Sequence, residues 1–457
     1  MIEMGVTDVV KGMIGLEVHV YLLTREKLFC PCIASREKGV QPNVYVCPIC
    51  TGMPGAKPML PNKNAVQGAV LIGLMLGCRI HERLGWMRKH YSWADLPKGY
   101  QNTLSGTRAF PLGVGGTFHG IRIRSVHLEE DPASWEPLTG RIDYNRSGLP
   151  LVEIITEPDF TSAEEVGMWL ERLLHNLAYL KIVASDAGIK VDVNVSIPKK
   201  TERVEVKNVN SVESIVLAIA YELERQLREG SVRETRRFDA VRGVTMVMRE
   251  KEGAEDYRFI RDPDLLDLVI ESAFVENLKR VLPDPPEKKL TMLRKKYKID
   301  EKNASVLAKH LEIVEFFEQV AVRIDPKFAL PWVTIELLRH LNYHKTRLDK
   351  VDINVDHFVA LLELVKNGTI SELQGKQLLN TFYPSSYMPA GVEKKIDDHA
   401  ILEGVCMGII SEEREGVARY KAGDVNVLNF LIGRVMEKTN RRADFRIVRS
   451  IIEQLLH

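Results

Sequence analysis

Four cysteines near the start of the chain are spaced to hold a metal: Cys30-Pro31-Cys32, then Cys47-Pro48-Ile49-Cys50. Two close pairs flank a 14-residue excursion, and four thiolates so arranged suit tetrahedral Zn²⁺, each pair holding one side of the ion. One knuckle is C-x-C rather than C-x₂-C, a variation on the commonest template. The competing interpretation is four unconnected buried thiols. The two remaining cysteines, Cys78 and Cys406, stand alone.

Carboxylates supply a second chemistry. In Gly15-Leu16-Glu17-Val18-His19, strand parity puts Glu17 and His19 on one face and Leu16, Val18 and Val20 on the other. Taken alone, this is equally a solvated strand face. Two further stretches, His127-Leu128-Glu129-Glu130-Asp131 and Pro150-Leu151-Val152-Glu153-Ile154-Ile155, set carboxylates in or beside apolar strands. An unpaired buried carboxylate is costly, so Glu153 needs a cation. Glu17, His19, Glu130 and Glu153 are expected to hold a hard divalent ion such as Mg²⁺, with waters completing an octahedron.

Cations suited to phosphate gather in Arg88-Lys89-His90-Tyr91-Ser92-Trp93-Ala94-Asp95-Leu96-Pro97-Lys98. Arg88, Lys89 and Lys98 could hold a phosphate there, although an exposed basic loop explains the same residues. Asp192, Asn194 and Ser196 alternate along one strand, Glu205 and Lys207 along the next, with Pro198–Glu202 turning between them. Asn208-Val209-Asn210-Ser211 then leads into a helix N-terminus, a place that seats phosphate or sugar; the alternative is a water-facing sheet surface. Gly52-Met53-Pro54-Gly55-Ala56-Lys57 lacks the Gly-Lys-Ser/Thr ending of a P-loop and is rejected as one. Gly113-Val114-Gly115-Gly116 reads as a hairpin turn. Tyr257-Arg258 and Asp262-Pro263-Asp264 add cation and acid further on.

These residues need a scaffold, and the chain has two textures. Alternating β-branched runs at Ile14–Val20, Thr117–Val126, Leu149–Ile155, Lys190–Ile197 and Arg203–Val209 predict antiparallel strands. Helices predicted over Ala163–Leu180 and Ser211–Glu229 would pack on them. Ser211 caps the second, Val216, Ile219, Leu223 and Leu227 form its stripe, and Gly230 ends it. The class is therefore α+β. After Leu282-Pro283-Asp284-Pro285-Pro286 the strand pattern stops. Helices are expected over Glu287–Tyr297, Lys302–Val322, Pro331–Leu341, Val355–Lys366 and Glu372–Leu379, the last opened by a capping box at Thr369–Glu372. A second break around Tyr383–Pro389 precedes helices over Asn426–Lys438 and Phe445–Leu456. The expected domains are thus 1–286, 287–388 and 389–457.

The 457 residues carry 63 Lys and Arg against 62 Asp and Glu, so nucleic-acid contact must come from local patches rather than net charge. Lys288, Lys289, Arg294, Lys295, Lys296 and Lys298 form one; Arg434, Lys438, Arg441, Arg442, Arg446 and Arg449 form another. Both fit phosphate-backbone contacts, though most charge runs are simply solvated. The Met1–Lys11 start has no basic n-region, and the apolar run Ala65–Cys78 is too short to span a bilayer. Thiols offered to a metal point to a reducing, cytoplasmic setting.

Taken together, these motifs closely resemble the B subunit of the aspartyl/glutamyl-tRNA amidotransferase. The resemblance runs through Gly15-Leu16-Glu17-Val18-His19, the cysteine knuckles, Gly52-Met53-Pro54-Gly55, Arg88-Lys89-x-Tyr91, Asp95–Gln101, Leu128–Asp131 and Pro150-Leu151-x-Glu153-Ile154. It continues through Asp192-x-Asn194-Val195-Ser196, Lys207-Asn208-x-Asn210-Ser211, Glu234-Thr235-Arg236, Asp256-Tyr257-Arg258 and Asn429–Gly433, essentially the whole chain. Ser92-Trp93-Ala94 and Ile260-Arg261-Asp262 depart from the family's pattern and alter local pocket shape.

The resemblance implies a cradle-like catalytic domain with zinc knuckles, a helical domain, and a tail binding tRNA through Arg434, Lys438, Arg441, Arg442 and Arg446. It implies ATP-dependent phosphorylation of the side-chain carboxylate of Glu or Asp on a mischarged tRNA. Ammonia from a glutamine-hydrolysing amidase subunit would then displace the phosphate, and a small third subunit would clamp the pair. Glu17, His19, Glu130 and Glu153 become the Mg²⁺ site, and Lys89 and Lys98 line the ammonia route or neighbour phosphate. ATP contacts fall to Arg88, Asp192, Asn194, Ser196, Lys207, Asn210 and Arg258. No Gly-Gly-Ser-Ser-Gly amidase signature occurs. The competing class is a non-catalytic, zinc-stabilised tRNA-binding scaffold; a free-standing ATP-dependent carboxylate–amine ligase lacks any supporting signature.

Overall fold

The computed structural model describes residues 11–37, 39–106, 108–183, 189–250 and 257–456, with backbone alone at 249 and 250. Residues 1–10 of the Met1–Lys11 start, and Asp256 of the Asp256-Tyr257-Arg258 motif, lie outside the described residues. The chain divides into two compact units, Met1–Pro285 and Pro286–His457. The break falls inside the proline cluster, where missing N–H groups and fixed φ angles interrupt regular structure.

A twelve-stranded mixed sheet organises the first unit. Ten strands follow one path: β1 Met13–Tyr21, β2 Met87–His90, β3 Gln101–Thr103, β4 Ile121–Glu130, β5 Pro150–Thr156, β6 Lys190–Ser196, β7 Val204–Val209, β8 Glu234–Asp239, β9 Val244–Glu250 and β10 Arg258–Arg261. Across the sheet they run β9-β8-β7-β6-β1-β5-β4-β3-β2-β10. Along this path β7 and β8 pair in parallel, and the helix Val212–Glu229 supplies the crossover that a parallel pair requires. The other neighbours are antiparallel.

Strand β1 is central because its alternation is complete. Ile14, Leu16, Val18 and Val20 are buried in one apolar core with Val126, Leu128, Val152, Ile154, Val191 and Val193. The helices Lys63–Met75, Ala163–Tyr179 and Val212–Glu229 supply the facing side chains, among them Val70, Leu170, Leu173, Ile215 and Ile219. Ser162 and Ser211 cap the second and third helices, accepting from the N–H groups of Glu165 and Ser214, and Gly230 ends the third at φ +74°; such caps satisfy backbone groups a helix leaves orphaned. The expected stripe on that helix drifts: Ile219 and Leu223 are buried, whereas Leu227 is exposed.

Other expectations are corrected. Thr117–Val126 is not one strand but the tip of a hairpin between Gly113–Phe118 and β4. The turn is His119-Gly120, whose φ values of +47° and +83° suit a two-residue hairpin loop. Gly113–Gly116 therefore belong to a strand. At Gly116 a Cβ would stand 2.4 Å from the Leu76 carbonyl oxygen and 2.6 Å from Cys78 Sγ, so its role is close approach.

In the second unit the predicted Lys302–Val322 helix is two, Glu301–Leu307 and Leu311–Ala321. Pro331 sits inside the helical run from Pro326, and the Trp332–Leu337 turns after it widen to π geometry, the response expected where an N–H is missing. The capping box is Ser371 with Gln374, not Thr369 with Glu372. Two apolar clusters fill this unit, one around Phe317, Trp332, Phe358 and Phe382, the other around Leu402, Leu431, Val435 and Ile452. Among the described residues no helix is long and apolar enough to cross a membrane.

Candidate active site

With one face of the sheet apolar, alternation delivers the polar side chains to the other. His19 on β1 lies directly across from Glu153 on β5, and Glu153 across from His127 on β4. On that face His19 Nε2 stands 3.5 Å from Glu153 Oε1 and 3.8 Å from Glu129 Oε1. Glu129 and Glu153 are only 2% and 6% exposed. Lys89, from β2, approaches from the side with Nζ 4.5 Å from the centre of the Tyr257 ring.

Burial and charge compete in this nest. Burial disfavours an imidazolium, but the hydrogen bond to Glu153 and the charges of Glu153 and Glu129 outweigh it, raising His19 to about 9. Burial opposes ionisation of Glu153, yet His19 and Lys89 hold its carboxyl down to about 2. Burial, then the Glu153 charge, pushes Glu129 up to about 7. Lys89 is desolvated, and Glu129 and Glu153 nonetheless raise it. Glu129 Oε2 and His19 Nδ1 are buried without a hydrogen-bond partner among the described residues. Two carboxylates, an imidazole and an orphaned carboxylate oxygen are donor types that a cation takes, and binding one would displace the imidazole proton; the carboxylates whose oxygens converge within 4.8 Å are those of the neighbouring set.

A second acidic nest adjoins it. Ligand oxygens of Glu17, Asp192 and Glu205 lie within 4.8 Å of one another. Lys207 Nζ is 3.0 Å from Glu205 and 3.4 Å from Asp192, and the Asn208 N–H donates to Asp192 at 2.8 Å. Asn194 donates to Glu17 at 3.3 Å. Burial, followed by the charges of Glu153 and Asp192, raises the Glu17 carboxyl. Ser196 is turned to the edge of this face, its hydroxyl 3.5 Å from the Met13 carbonyl. Asn210 is exposed just before the helix cap.

The four-residue set expected from sequence does not form one cluster, and Glu130 is the correction. It follows Glu129 on β4 and so faces the other side. There it accepts from the Asn102 N–H at 2.9 Å and pairs with Lys98. Arg88 lies in the same opposite-face network and is already engaged: Nε donates to Asp262 at 3.0 Å and Nη2 to Asp264 at 2.6 Å. Arg258 is exposed and pairs in register with His90 rather than with Lys89. Neither arginine is therefore gathered with Asp192, Asn194 and Lys207.

The cysteines converge as their spacing implies. The sulfurs of Cys30, Cys32, Cys47 and Cys50 all lie within 4.8 Å of one another, and Cys50 Sγ is 4.0 Å from Cys32 Sγ and 3.9 Å from Cys47 Sγ. Tetrahedral zinc with bonds of about 2.3 Å requires sulfurs about 3.8 Å apart, so the set fits. The hydrogen bond with Cys30 leads, against burial, in holding the Cys50 thiol down to about 4.

In the second unit Arg434 pairs with Glu413 and Glu437 at 2.8 and 2.6 Å, Lys438 with Glu412, and Arg442 with Glu393 at 3.0 Å. Arg441 and Arg446 line a cavity of about 1190 Å³ together with Lys376 and Lys395.

Sequence reasoning passes over Glu129 and Tyr257. The signal for Glu129 lies in β4 itself: Val126 and Leu128 are core, so Ser125, His127 and Glu129 share the polar face. For Tyr257 no local pattern indicates that β10 will pair with β2.

A buried acidic face on a mixed sheet and a separate four-cysteine cluster describe the first unit, and comparison with known proteins gives its family. Residues 12–276 match the GatB/GatE catalytic domain and residues 315–456 the GatB domain. The chain is 39% identical to the B subunit of the aspartyl/glutamyl-tRNA(Asn/Gln) amidotransferase of Methanocaldococcus jannaschii, over 99% of both chains. It is likewise 39% identical to the protein of that name from Methanopyrus kandleri, over 97% of this chain and 98% of the relative. The chain belongs to the family of aspartyl/glutamyl-tRNA(Asn/Gln) amidotransferase B subunits.

Proposed function

We propose that this chain activates and amidates the side-chain carboxylate of Glu or Asp esterified to a tRNA, using ATP, as the catalytic component of a glutamine-dependent amidotransferase. A carboxylate is a poor electrophile; transfer of the γ-phosphoryl group gives an acyl phosphate and ADP. Ammonia then attacks the acyl carbon, and inorganic phosphate departs as the amide forms. Such chemistry depends on positioning and charge neutralisation more than on a covalent nucleophile.

The observation that carries this reading is the buried His19–Glu129–Glu153 nest with orphaned polar atoms beside Lys89. His19, Glu129 and Glu153, with Glu17 adjoining, would hold Mg²⁺, which when bound neutralises phosphate oxygens. Lys89 and Lys207 supply fixed positive charge on the same face. Asp192, Asn194 and Lys207, near the N-terminus of the helix that follows Asn210, supply contacts for ATP. Lys98, held by Glu130, sits off this face on the path we assign to ammonia.

Zn²⁺ closed by Cys30, Cys32, Cys47 and Cys50 leaves no open position and is structural. Residues 287–388 are a helical domain, and residues 389–457 a helical tail domain that meets tRNA through its basic side chains. Ammonia comes from an amidase partner, with a small third subunit completing a heterotrimer in the cytoplasm.

The test supplies the assembled protein with Glu-tRNA or Asp-tRNA, ATP, Mg²⁺ and ammonium chloride, without glutamine. Amidation and ADP release are expected, with loss of ADP formation but retained tRNA binding in Glu129→Ala and Glu153→Ala. Unchanged turnover in both variants would overturn the assignment and return the chemistry to another component of the complex.

A further inference from the structure

A lysine beside the cysteine quartet has no conventional counter-ion. Lys27 is 1% exposed, among the largest fully buried side chains of the protein. Its ammonium lies 3.5 Å from Cys50 Sγ and 3.0 Å from the Tyr144 carbonyl oxygen. Among the described residues no carboxylate pairs with it. An ammonium withdrawn from water is strongly disfavoured unless an opposite charge faces it. Among the described residues, the group that can face it with negative charge is the thiolate set.

The surroundings hold Lys27 in that position. Its own N–H donates to the Cys32 carbonyl at 3.0 Å, and the next N–H, of Leu28, donates to the Gly148 carbonyl at 2.8 Å. Gly148, at φ +82°, packs against both the Lys27 stem and Cys50: a Cβ there would stand 3.6 Å from Lys27 Cδ and 3.7 Å from Cys50 Cβ. Ser147 donates to the Cys50 carbonyl at 2.7 Å. Backbone on both sides of the quartet thus aims the ammonium at one sulfur.

We propose that Lys27 is a positioning residue of the metal site: its ammonium donates a charge-assisted hydrogen bond to the Cys50 thiolate and offsets part of the double negative charge of a zinc tetrathiolate. This rests on the zinc reading above. Four thiolates on one Zn²⁺ leave a net charge of about −2, and outer partners that bond a ligating atom typically change metal affinity about 10–100-fold. The pairing also explains why a lysine is tolerated almost fully buried, since each charge compensates the other.

The experiment uses the full chain with zinc content measured directly, then Co²⁺ substituted for Zn²⁺ and read by absorption. Wild type should hold one zinc per chain and show the tetrathiolate cobalt spectrum; absence of both would overturn the zinc reading itself. Given a loaded wild type, Lys27→Met should release metal to a competing chelator with about tenfold or greater loss of affinity. Its sulfur-to-cobalt charge-transfer band should move to lower energy, because an unshielded thiolate gives up electron density more readily. Lys27→Arg, which keeps a cation and donors, should restore most of the affinity. Lys27→Gln carries the test should the methionine variant not fold, with a loss in the same direction. Wild-type metal retention and an unshifted band in the neutral variant would overturn the role of Lys27 while leaving the zinc site standing.

Discussion

Glu129 and Glu130 are consecutive in the chain and serve opposite faces of one strand. Glu129 looks toward His19, with 3.8 Å between Oε1 and Nε2, while Glu130 binds Lys98 and the Asn102 N–H on the other side. The acidic pair thereby connects two networks: a nest shared with His19 and Glu153, and an opposite-face chain through Lys98, Asn102, Asp262 and Arg88.

The two glutamates should fail differently. Glu129→Gln removes a ligand charge from the nest and should weaken Mg²⁺ binding by about tenfold or more, with ADP formation falling in parallel. Glu130→Gln should leave Mg²⁺ affinity within about threefold, yet destabilise the first unit by about 3–5 kcal/mol, the usual cost of stripping one partner from a buried pair. Mn²⁺ titration followed by electron paramagnetic resonance, with urea melts of both variants, separates the outcomes. Equal losses of metal binding would contradict the division by strand face.

Gly52, two residues after Cys50, lies against the Pro97–Lys98 backbone. Its φ is +68°, and a Cβ would stand 2.4 Å from the Pro97 carbonyl oxygen and 2.9 Å from the Lys98 N. Gly55, at φ +87°, has nothing within 4 Å of such an atom. Gly55→Ala should therefore cost about 1 kcal/mol, the strain of a left-handed residue alone. Gly52→Ala must also move the Pro97–Lys98 backbone and should cost about 2–4 kcal/mol. Denaturant melts compare the two; similar values would mean that the contact with Pro97 yields cheaply.

This difference marks what the sequence can and cannot disclose. The apolar alternation of Ile14–Val20 and Lys190–Ile197 forecasts central strands because one face must be dry, and the same parity aligns Glu17 with His19. The cysteine spacing forecasts their convergence since each pair is local. A burial argument alone does not separate Glu130 from Glu129; that needs parity counted from Val126 and Leu128. Arg88 reads as available for phosphate because Asp262, 174 residues away, cannot be seen as its partner from local pattern. The glycines at 113–116 suggest a turn, whereas Gly116 answers to the Leu76 carbonyl from a distant helix end. Local periodicity is legible; long-range pairing and close approach are not.

His340 gives the second unit an acid sensitivity. It is 2% exposed and its Nε2 has no partner among the described residues; burial, then the charges of His344 and Arg339, lowers its pKa. An unfolded histidine titrates near about 6.5. The unfolded state therefore takes up the proton first, and stability is full above that pH and declines as pH falls below it toward the folded value. Thermal melts of the full chain between about pH 7 and pH 5 should show this decline in the transition of the helical unit, flattened in His340→Gln. An unchanged slope in that variant would assign the sensitivity to other groups.

The tail arginines differ in how free they are to meet a phosphate. Arg434, Lys438 and Arg442 already face Glu413 and Glu437, Glu412, and Glu393, so a tRNA phosphate must compete with a carboxylate for each. Arg441 and Arg446 are exposed at the rim of the cavity they share with Lys376 and Lys395. Each phosphate contact on a duplex contributes about 0.9 to the slope of log affinity against log salt. Replacing Arg441 and Arg446 together by alanine should therefore lower that slope by about 1.8 and weaken tRNA binding by tenfold or more. Arg434→Ala should change binding less than about threefold, since its guanidinium is already engaged by Glu413 and Glu437 and contributes little to a phosphate contact. Filter binding across a salt series checks both. A larger slope change for Arg434→Ala than for the double variant would place the tRNA backbone along the helix Val427–Lys438 instead of at the cavity rim.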